Sequence, residues 1–478
     1  MKIAQPRRTK IVATLGPATD AEGVLEELIK AGVDVVRLNF SHGLAAEQIK
    51  RAQSVREITK RLARHVAILV DLQGPKIRIG QFKQKKIWLQ DDAEFTIDVA
   101  MAVTEGDERQ VACIYRQLAN EVSLDDRLLL DDGRIVLQVE SVKGTKIHCK
   151  VLVGGELSNN KGINLQGGGL SASALTDKDK ADILTAAEID ADYVAVSFPR
   201  NAADMHDARA LLESAGCLAH LVAKIERAEA LLVLEEIIDA SDAVMVARGD
   251  LGVEIGDANL PPAQKNIIRL ARQRNTTVIT ATQMMESMIH SPIPTRAEVF
   301  DVANAVADGT DAVMLSAETS VGKYPVKTVR AMSEICLQAE RQPSSTHSKH
   351  RVGKQFDRID EAIALSAMYV ANHADIQAIA AYSVSGSTPL QMSRLSSGIP
   401  IFAMVPDEHI CRRVCLYRGV NPVLMARPSG NDEELVGATL AKLKQLQIVS
   451  AEDMVIVTAG ETNAKQGGTN TMKIVRVD

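Results

Sequence analysis

Aromatic residues are scarce in this sequence: 3% of its 478 residues are Phe, Trp or Tyr, and Trp88 is the one tryptophan. So few rings leave little with which to stack nucleic-acid bases. Positive charge is not in excess either. The formal net charge is −6, which argues against a general nucleic-acid binder, whose footprint is a strong basic patch. No apolar run approaches the roughly 20 residues that a membrane-spanning helix needs. The opening MKIAQPRRTK is polar and basic and lacks the apolar core of a signal peptide, so a cytoplasmic chain without a membrane partner is expected. The six cysteines (Cys113, Cys149, Cys217, Cys336, Cys411, Cys415) show no CxxC spacing, and neither HxH nor HExxH occurs. That disfavours a redox pair and a zinc site, and leaves buried thiols in a reducing compartment as the expectation.

What is present is an ordinary globular composition, 46% hydrophobic and 24% charged, in a chain long enough for two or three domains. Short apolar runs that end on polar residues recur along it: Lys10–Leu15, Val33–Phe40, Val66–Val70, Tyr193–Phe198, Leu221–Glu226, Ala243–Ala247, Thr277–Ala281 and Asp311–Ser316. Each reads as a buried parallel strand, and amphipathic helical segments separate them. Thr176 with Asp179 has the spacing of a capping box at one helix start. Eight such units predict a TIM barrel, with a doubly wound open sheet as the alternative. After the third run the pattern breaks into short alternating strands, which predicts an antiparallel β lid over residues 73–170, left through the hinge-like Gly167-Gly168-Gly169. The barrel then takes residues 1–72 and 171–342, a polar linker 343–355, and a smaller C-terminal α/β domain 356–478. Beyond the βα alternation we find no tandem repeat.

The run ends carry the chemistry. Lys224 and Glu226 end the fifth run, and Arg248, Gly249 and Asp250 follow the sixth. In a barrel these ends converge on one face. Glu226 and Asp250 form a carboxylate pair suited to Mg²⁺, which takes one or two carboxylates plus water and substrate oxygens. The same residues also fit an ion network with Lys224 and Arg248. Gly249-Asp250 begins a turn whose backbone N–H groups can hold an anion. Asn39, Ser41 and Asp71 form an all-oxygen set for a monovalent cation, or a set of strand caps. Arg37, Arg78, Lys161 and Lys224 supply cations for phosphoryl transfer, which depends on positioning and charge neutralisation, and a lid would keep water out. Ser383 to Thr388 lies between a strand and a helix; it reads either as a plain turn or as a second, regulatory phosphate site.

These stretches resemble the pyruvate kinase family from end to end. The resemblance is carried by TKIVATLGPAT, VVRLNFSHG, DLQGPKIRIG, NNKGIN, VAKIERAEA, VMVARGDLGVEIG, VITATQMMESM, DGTDAVMLSAET and GKYPV. It implies a TIM barrel with an inserted β lid and a C-terminal effector domain. The implied reaction is Mg²⁺-dependent transfer of the phosphoryl group of phosphoenolpyruvate to ADP, giving pyruvate and ATP, with Mn²⁺ as a substitute metal. Carried over by position, Glu226 and Asp250 bind the metal and Lys224 neutralises the phosphoryl group in transit. Arg37 grips the substrate phosphate. Gly249, Asp250 and Thr282 hold its carboxylate, and Thr282 also serves proton delivery through water. Arg78, Lys161, Asn39, His42 and Pro17 match nucleotide positions, with Ser316 and Glu318 as support. The resemblance further implies a homotetramer and an effector, a sugar phosphate or nucleoside monophosphate, on the loop of Ser383, Ser385, Gly386, Ser387 and Thr388. One departure stands out. Potassium-activated members carry DTKGPEIR, whereas here Leu72 replaces the threonine and Lys76 the glutamate. Lys76 is then a cation surrogate, K⁺ is not required, and the role of the family's cation site (Asn39, Ser41, Asp71, Leu72) is in question.

Overall fold

The structure, a computed structural model, describes residues 6–342, 355–356, 358–460 and 467–478. All but the end of the predicted linker therefore lies outside the described residues. Eight parallel strands close a barrel: Lys10–Thr14, Val35–Asn39, Ala67–Asp71, Tyr193–Val196, His220–Ile225, Ala243–Ala247, Thr277–Ala281 and Ala312–Leu315. The first and last pair directly, Lys10 opposite Ala312. The third and fourth pair across the insertion, Leu69 opposite Tyr193. An open doubly wound sheet is thereby excluded. These strands are almost wholly buried, because helices cover the outside and layered side chains fill the inside. The helix Asp177–Glu188 starts with the predicted capping box, Thr176 accepting from Asp179 N–H and Asp179 from Thr176 N–H.

The lid inserted between the third and fourth strands is a six-stranded sheet beside a two-stranded ribbon, Lys86–Leu89 with Gly155–Ser158. It has its own apolar core, around Phe95, Ile97, Leu128 and Val151. The C-terminal sheet runs Val420–Leu424, Ile401–Val405, Ala378–Tyr382, Met454–Gly460, Thr469–Arg476, and the last strand is antiparallel. The barrel and this sheet share a core: Val12, Val222, Met245 and Ile279 inside the barrel belong to one cluster with Ile379, Ile401 and Ile456. Thus the C-terminal domain closes the barrel at the N-terminal ends of its strands.

A repeat that the sequence does not advertise appears at that floor. Asp34, Asp192, Asp242 and Asp311 each immediately precede an even-numbered strand. Each carboxylate accepts the N–H of a residue in the odd-numbered strand before it: Ile11, Ile68, Leu221 and Val278, at 2.8, 2.8, 2.8 and 2.9 Å. Each also meets arginine: Arg7 at 2.9 Å, Arg56 at 3.0 Å and Arg412 at 2.8 Å, Arg209 at 3.1 Å, and Arg394 at 2.9 Å. Arg394 and Arg412 come from the C-terminal domain, so two of the four aspartates, Asp311 and Asp192, also anchor that domain. One residue on every second strand, at unequal spacing, does not register as a tandem repeat, which is why the pattern emerges only in the closed barrel.

Candidate active site

At the other end of the barrel, the strand ends place charge with less compensation. Arg37, in the second strand, donates from Nε to Asp71 Oδ2 at 2.6 Å and from Nη1 to Thr14 Oγ1 at 3.1 Å. Lys224 Nζ donates to Ser197 Oγ at 2.7 Å and lies 2.9 Å from Glu226 Oε1 and 3.2 Å from Asp71 Oδ1. The contact with Asp71 Oδ1 is electrostatic only: that buried oxygen has no aligned hydrogen-bond donor. Ser197 Oγ in turn donates a hydrogen bond to Leu72 O at 2.8 Å. Glu226 Oε2 accepts the N–H of Phe198 at 2.8 Å. For that, Phe198 takes φ 56°, left-handed backbone that is costly for a bulky residue. It is also why the fourth strand, expected to reach Phe198, stops at Val196.

Burial and charge sort these groups. Desolvation pushes Glu226 up to about 7, with Asp250 adding to it and Lys224 opposing. Desolvation also works against Lys224, but Asp71 and Glu226 outweigh it and hold the ammonium firmly protonated. For Asp71, burial is outweighed by Arg37 and Lys224, so its carboxyl lies below the usual range.

Arg248 opens the helix Arg248–Ile255, so Gly249-Asp250 lies in the first turn of a helix and is not the free turn expected. The Gly249 N–H is not open either; it donates to Thr282 Oγ1 at 2.9 Å, and that hydroxyl donates to Ala281 O at 2.7 Å. Thr282 and Gln283 take φ 66° and 54°, an unusual pair of left-handed residues, the first β-branched. Arg248 holds this turn from below, donating to Thr282 O at 2.7 Å and pairing with Asp301 at 2.7 Å. It therefore takes no part in the ion network considered for Glu226 and Asp250. A cavity of about 580 Å³ opens beside Asp250, Gly249 and Gln283, with Lys76, Asp132 and Gln166 on the lid side.

Two family models describe nearly all of this chain. The model described as pyruvate kinase, barrel domain, matches residues 6–329, and that described as pyruvate kinase, alpha/beta domain, matches residues 361–475. The chain belongs to the pyruvate kinase family. Pyruvate kinase II of Salmonella typhimurium is 55% identical over 99% of each chain, and a pyruvate kinase of Haemophilus influenzae 53% over the same share. A crystal structure of a pyruvate kinase from Cryptosporidium parvum superposes with a TM-score of 0.92 at 33% identity, covering 99% of this chain and 96% of that one. The chain is thus a phosphotransferase of glycolysis by family. Pyruvate kinases bind phosphoenolpyruvate and ADP, and generally use Mg²⁺ and K⁺.

The donor set fits such a divalent metal. Glu226 and Asp250 supply two hard carboxylate donors whose charges interact, and Mg²⁺ takes one or two carboxylates together with water and substrate oxygens. Other pyruvate kinase positions fall as follows. Arg78 Nη1 donates to Asn160 O at 2.9 Å, and Lys161 pairs with Asp131 at 2.7 Å, both on the lid. Asn39 Oδ1 caps the Ser41 N–H at 3.1 Å, while His42 and Pro17 are exposed. Pro17 lines a groove of about 720 Å³ between the helices Val24–Lys30 and Ala45–Arg61. Ser316 N–H donates to Glu318, whose other oxygen accepts from Met285.

The cation site and its surrogate differ from expectation. Asp71 is engaged by Arg37 and Lys224, Leu72 has a buried side chain, and its carbonyl accepts from Ser197. Lys76 does not sit among them: its Nζ lies 3.2 Å from Asp250 Oδ1 and 4.0 Å from Asp132 Oδ1 of the lid. In the C-terminal domain, Gly386 N–H donates to Ser383 Oγ at 3.0 Å and Thr388 shares a 2.6 Å hydrogen bond with Thr469, while Ser385 and Ser387 are half-buried. Gly386 has φ 81°, and a Cβ there would meet Val414 Cγ1 at 2.9 Å, so this glycine is demanded by the fold.

Three residues of this site have no sequence signal of their own: Ser197 lies unmarked in the run Tyr193–Phe198, Glu254 ends no apolar run, and Asp131 follows a short run of the lid and not of the barrel. Glu254 lies inside the motif VMVARGDLGVEIG, which was the available signal.

Proposed function

We propose that the barrel mouth carries out the family reaction on phosphoenolpyruvate and ADP with the residues just described. The observation that carries this reading is the position of Lys224, an ammonium fixed between Glu226, Asp71 and Ser197 and held protonated by its neighbours. A lysine so held is a charge stabiliser and not a base. Arg37, reached from the same side and bound to Asp71, takes the substrate phosphate. Glu226 and Asp250 hold Mg²⁺, which when bound offsets phosphoryl charge. The phosphorus–oxygen bond to the enol breaks as a β-phosphate oxygen of ADP bonds to phosphorus, leaving the enolate of pyruvate. Thr282 stands beside the substrate carboxylate site, and its hydroxyl relays a proton from water to the enolate carbon. Arg78 and Lys161 bring lid charge to the nucleotide, with Asn39, His42 and Pro17 on the barrel side.

Two finer readings belong here. Lys76 brings a fixed positive charge to Asp250, which supports turnover without K⁺. Ser385 and Ser387 at the loop Ser383–Thr388 support an effector phosphate, from a sugar phosphate or nucleoside monophosphate, on a homotetrameric enzyme of the cytosol. The deciding experiment is a lactate-forming coupled assay with phosphoenolpyruvate and ADP, with and without EDTA. Turnover that EDTA abolishes is expected; no turnover with both substrates and Mg²⁺ would overturn the assignment.

A further inference from the structure

Glu254 is a buried carboxylate, 6% exposed, to which the reaction above gives no part. It sits one turn after Asp250 on the helix Arg248–Ile255, so the two acids share a helix face. Its Oε2 accepts the N–H of Ala228 at 2.9 Å, two residues beyond Glu226. Its Oε1 faces Asn164 Nδ2 at 3.4 Å, on the strand Ile163–Leu165 by which the chain leaves the lid. Its main-chain oxygen accepts the N–H of Gly167 at 3.1 Å. One residue therefore touches the helix of Asp250, the segment of Glu226 and the exit of the lid.

That exit has the backbone of a hinge. Gly167, Gly168 and Gly169 take φ of 85°, 82° and 106°, and a Cβ on Gly168 would come within 1.9 Å of Glu229 Oε2. Just beyond it, Arg227 Nη1 donates to Leu170 O at 2.7 Å and to Glu229 at 3.2 Å. The Glu226 segment thus grips the hinge from one side, and Glu254 grips it from the other. Both lid connectors, through Pro75 and Leu165, line a cavity of about 20 Å³ at this seam with Arg227 and Glu254.

We propose that Glu254 is a positioning residue: it sets the spacing of Glu226 and Asp250 and ties that spacing to the posture of the lid. The proposal rests on reading those two as the metal-binding pair. Catalytic oxygens tolerate displacements of only a fraction of an ångström, and groups that orient them matter accordingly.

The test uses the full chain and the variants E254A, E254Q and N164A, with kcat, KM for both substrates, and Mn²⁺ binding followed by electron paramagnetic resonance. E254A is expected to lose about 10–100-fold in kcat and to bind Mn²⁺ more weakly, with KM for phosphoenolpyruvate within about twofold. E254Q recovers most of the loss. Its amide oxygen still accepts from Ala228, and its NH₂ donates to Asn164 once that amide turns over. N164A cuts only the lid tie, so kcat falls while Mn²⁺ binding stays as in wild type, and the fall disappears in the E254A background. Three results overturn the proposal: unchanged kcat and Mn²⁺ affinity in E254A, E254Q as defective as E254A, or losses from N164A and E254A that multiply. Should E254A not fold by circular dichroism, N164A decides alone, and wild-type kcat there overturns it. The underlying metal reading is checked separately. E226Q and D250N should abolish Mn²⁺ binding, and retained binding would sink that reading whatever Glu254 does.

Discussion

At the floor of the barrel, Asp34, Asp192, Asp242 and Asp311 each combine an arginine with the N–H of the preceding strand. At the mouth, Asp71, Glu226 and Asp250 have Arg37, Lys224 and Lys76 between them, and Asp71 Oδ1 is left buried without a hydrogen bond. Both ends of one sheet bury carboxylates, and they differ in how that charge is matched. The mouth forces Phe198, Thr282 and Gln283 into left-handed conformations. The floor is built for stability, because each of these four carboxylates is matched within the chain. The mouth leaves charge less fully matched, as the proposed binding of a metal and an anionic substrate there requires.

That contrast can be broken from either end. The largest effect is expected at the floor. Asp311 and Arg394 are each 1% exposed, so D311A strands a buried guanidinium and should cost about 3–5 kcal/mol of unfolding free energy, read by urea titration; a loss below that of a surface change would show the pair is dispensable. At the mouth, K224A should lower kcat by about 10²–10³-fold. Retained turnover would remove Lys224 from the reaction.

Acid separates the two ends by sign. His220, packed edge-on against Tyr193 near the floor, is held neutral by burial and lowered to about 4 from 6.5. Between those values the unfolded chain takes a proton that the folded chain refuses. Its contribution is therefore complete above pH 6.5 and is lost as pH falls toward 4, by at most about 3 kcal/mol. H220F should flatten that part of the stability profile; an unchanged acid limb would contradict the assignment. Glu226 has the opposite sign: raised from 4.5 to about 7, it keeps a proton that the unfolded chain has lost, so the metal-free protein gives up that share as pH rises through this window.

Two smaller effects probe the periphery. If the loop Ser383–Thr388 takes an effector phosphate as proposed, S387E should remove activation by a sugar phosphate or nucleoside monophosphate in saturation assays, by placing a carboxylate where the phosphate would bind; if the unactivated rate falls with it, the loop is a structural part. Gly386 is unsuitable for this test because its φ of 81° and its closeness to Val414 make any side chain there a folding defect. Smallest of all, KCl added to enzyme in tetramethylammonium buffer should stimulate turnover less than about twofold if the ammonium of Lys76 beside Asp250 replaces the cation. Strong stimulation would return the Asn39, Ser41 and Asp71 set to its family role.

The barrel was legible because its signal is local. A buried parallel strand must be apolar until it ends, and eight such runs between helices leave few other closures. Lys224, Glu226 and Asp250 were legible for the same reason, each standing where an apolar run meets charge. The sequence by itself thus determined the architecture and the lid insertion, which follow from patterning along short windows, and the family, which follows from its ordered motifs. It did not disclose partners. That Arg248 turns to Asp301, that Lys76 meets Asp250 and not Asp71, that Thr282 occupies the Gly249 N–H, and that four aspartates repeat around the floor depend on residues far apart in the chain. Ion pairs and hydrogen bonds are decided by distances of a few ångströms and by backbone angles at single residues, and those were settled when the sheet closed and the lid and C-terminal domain packed against its two ends.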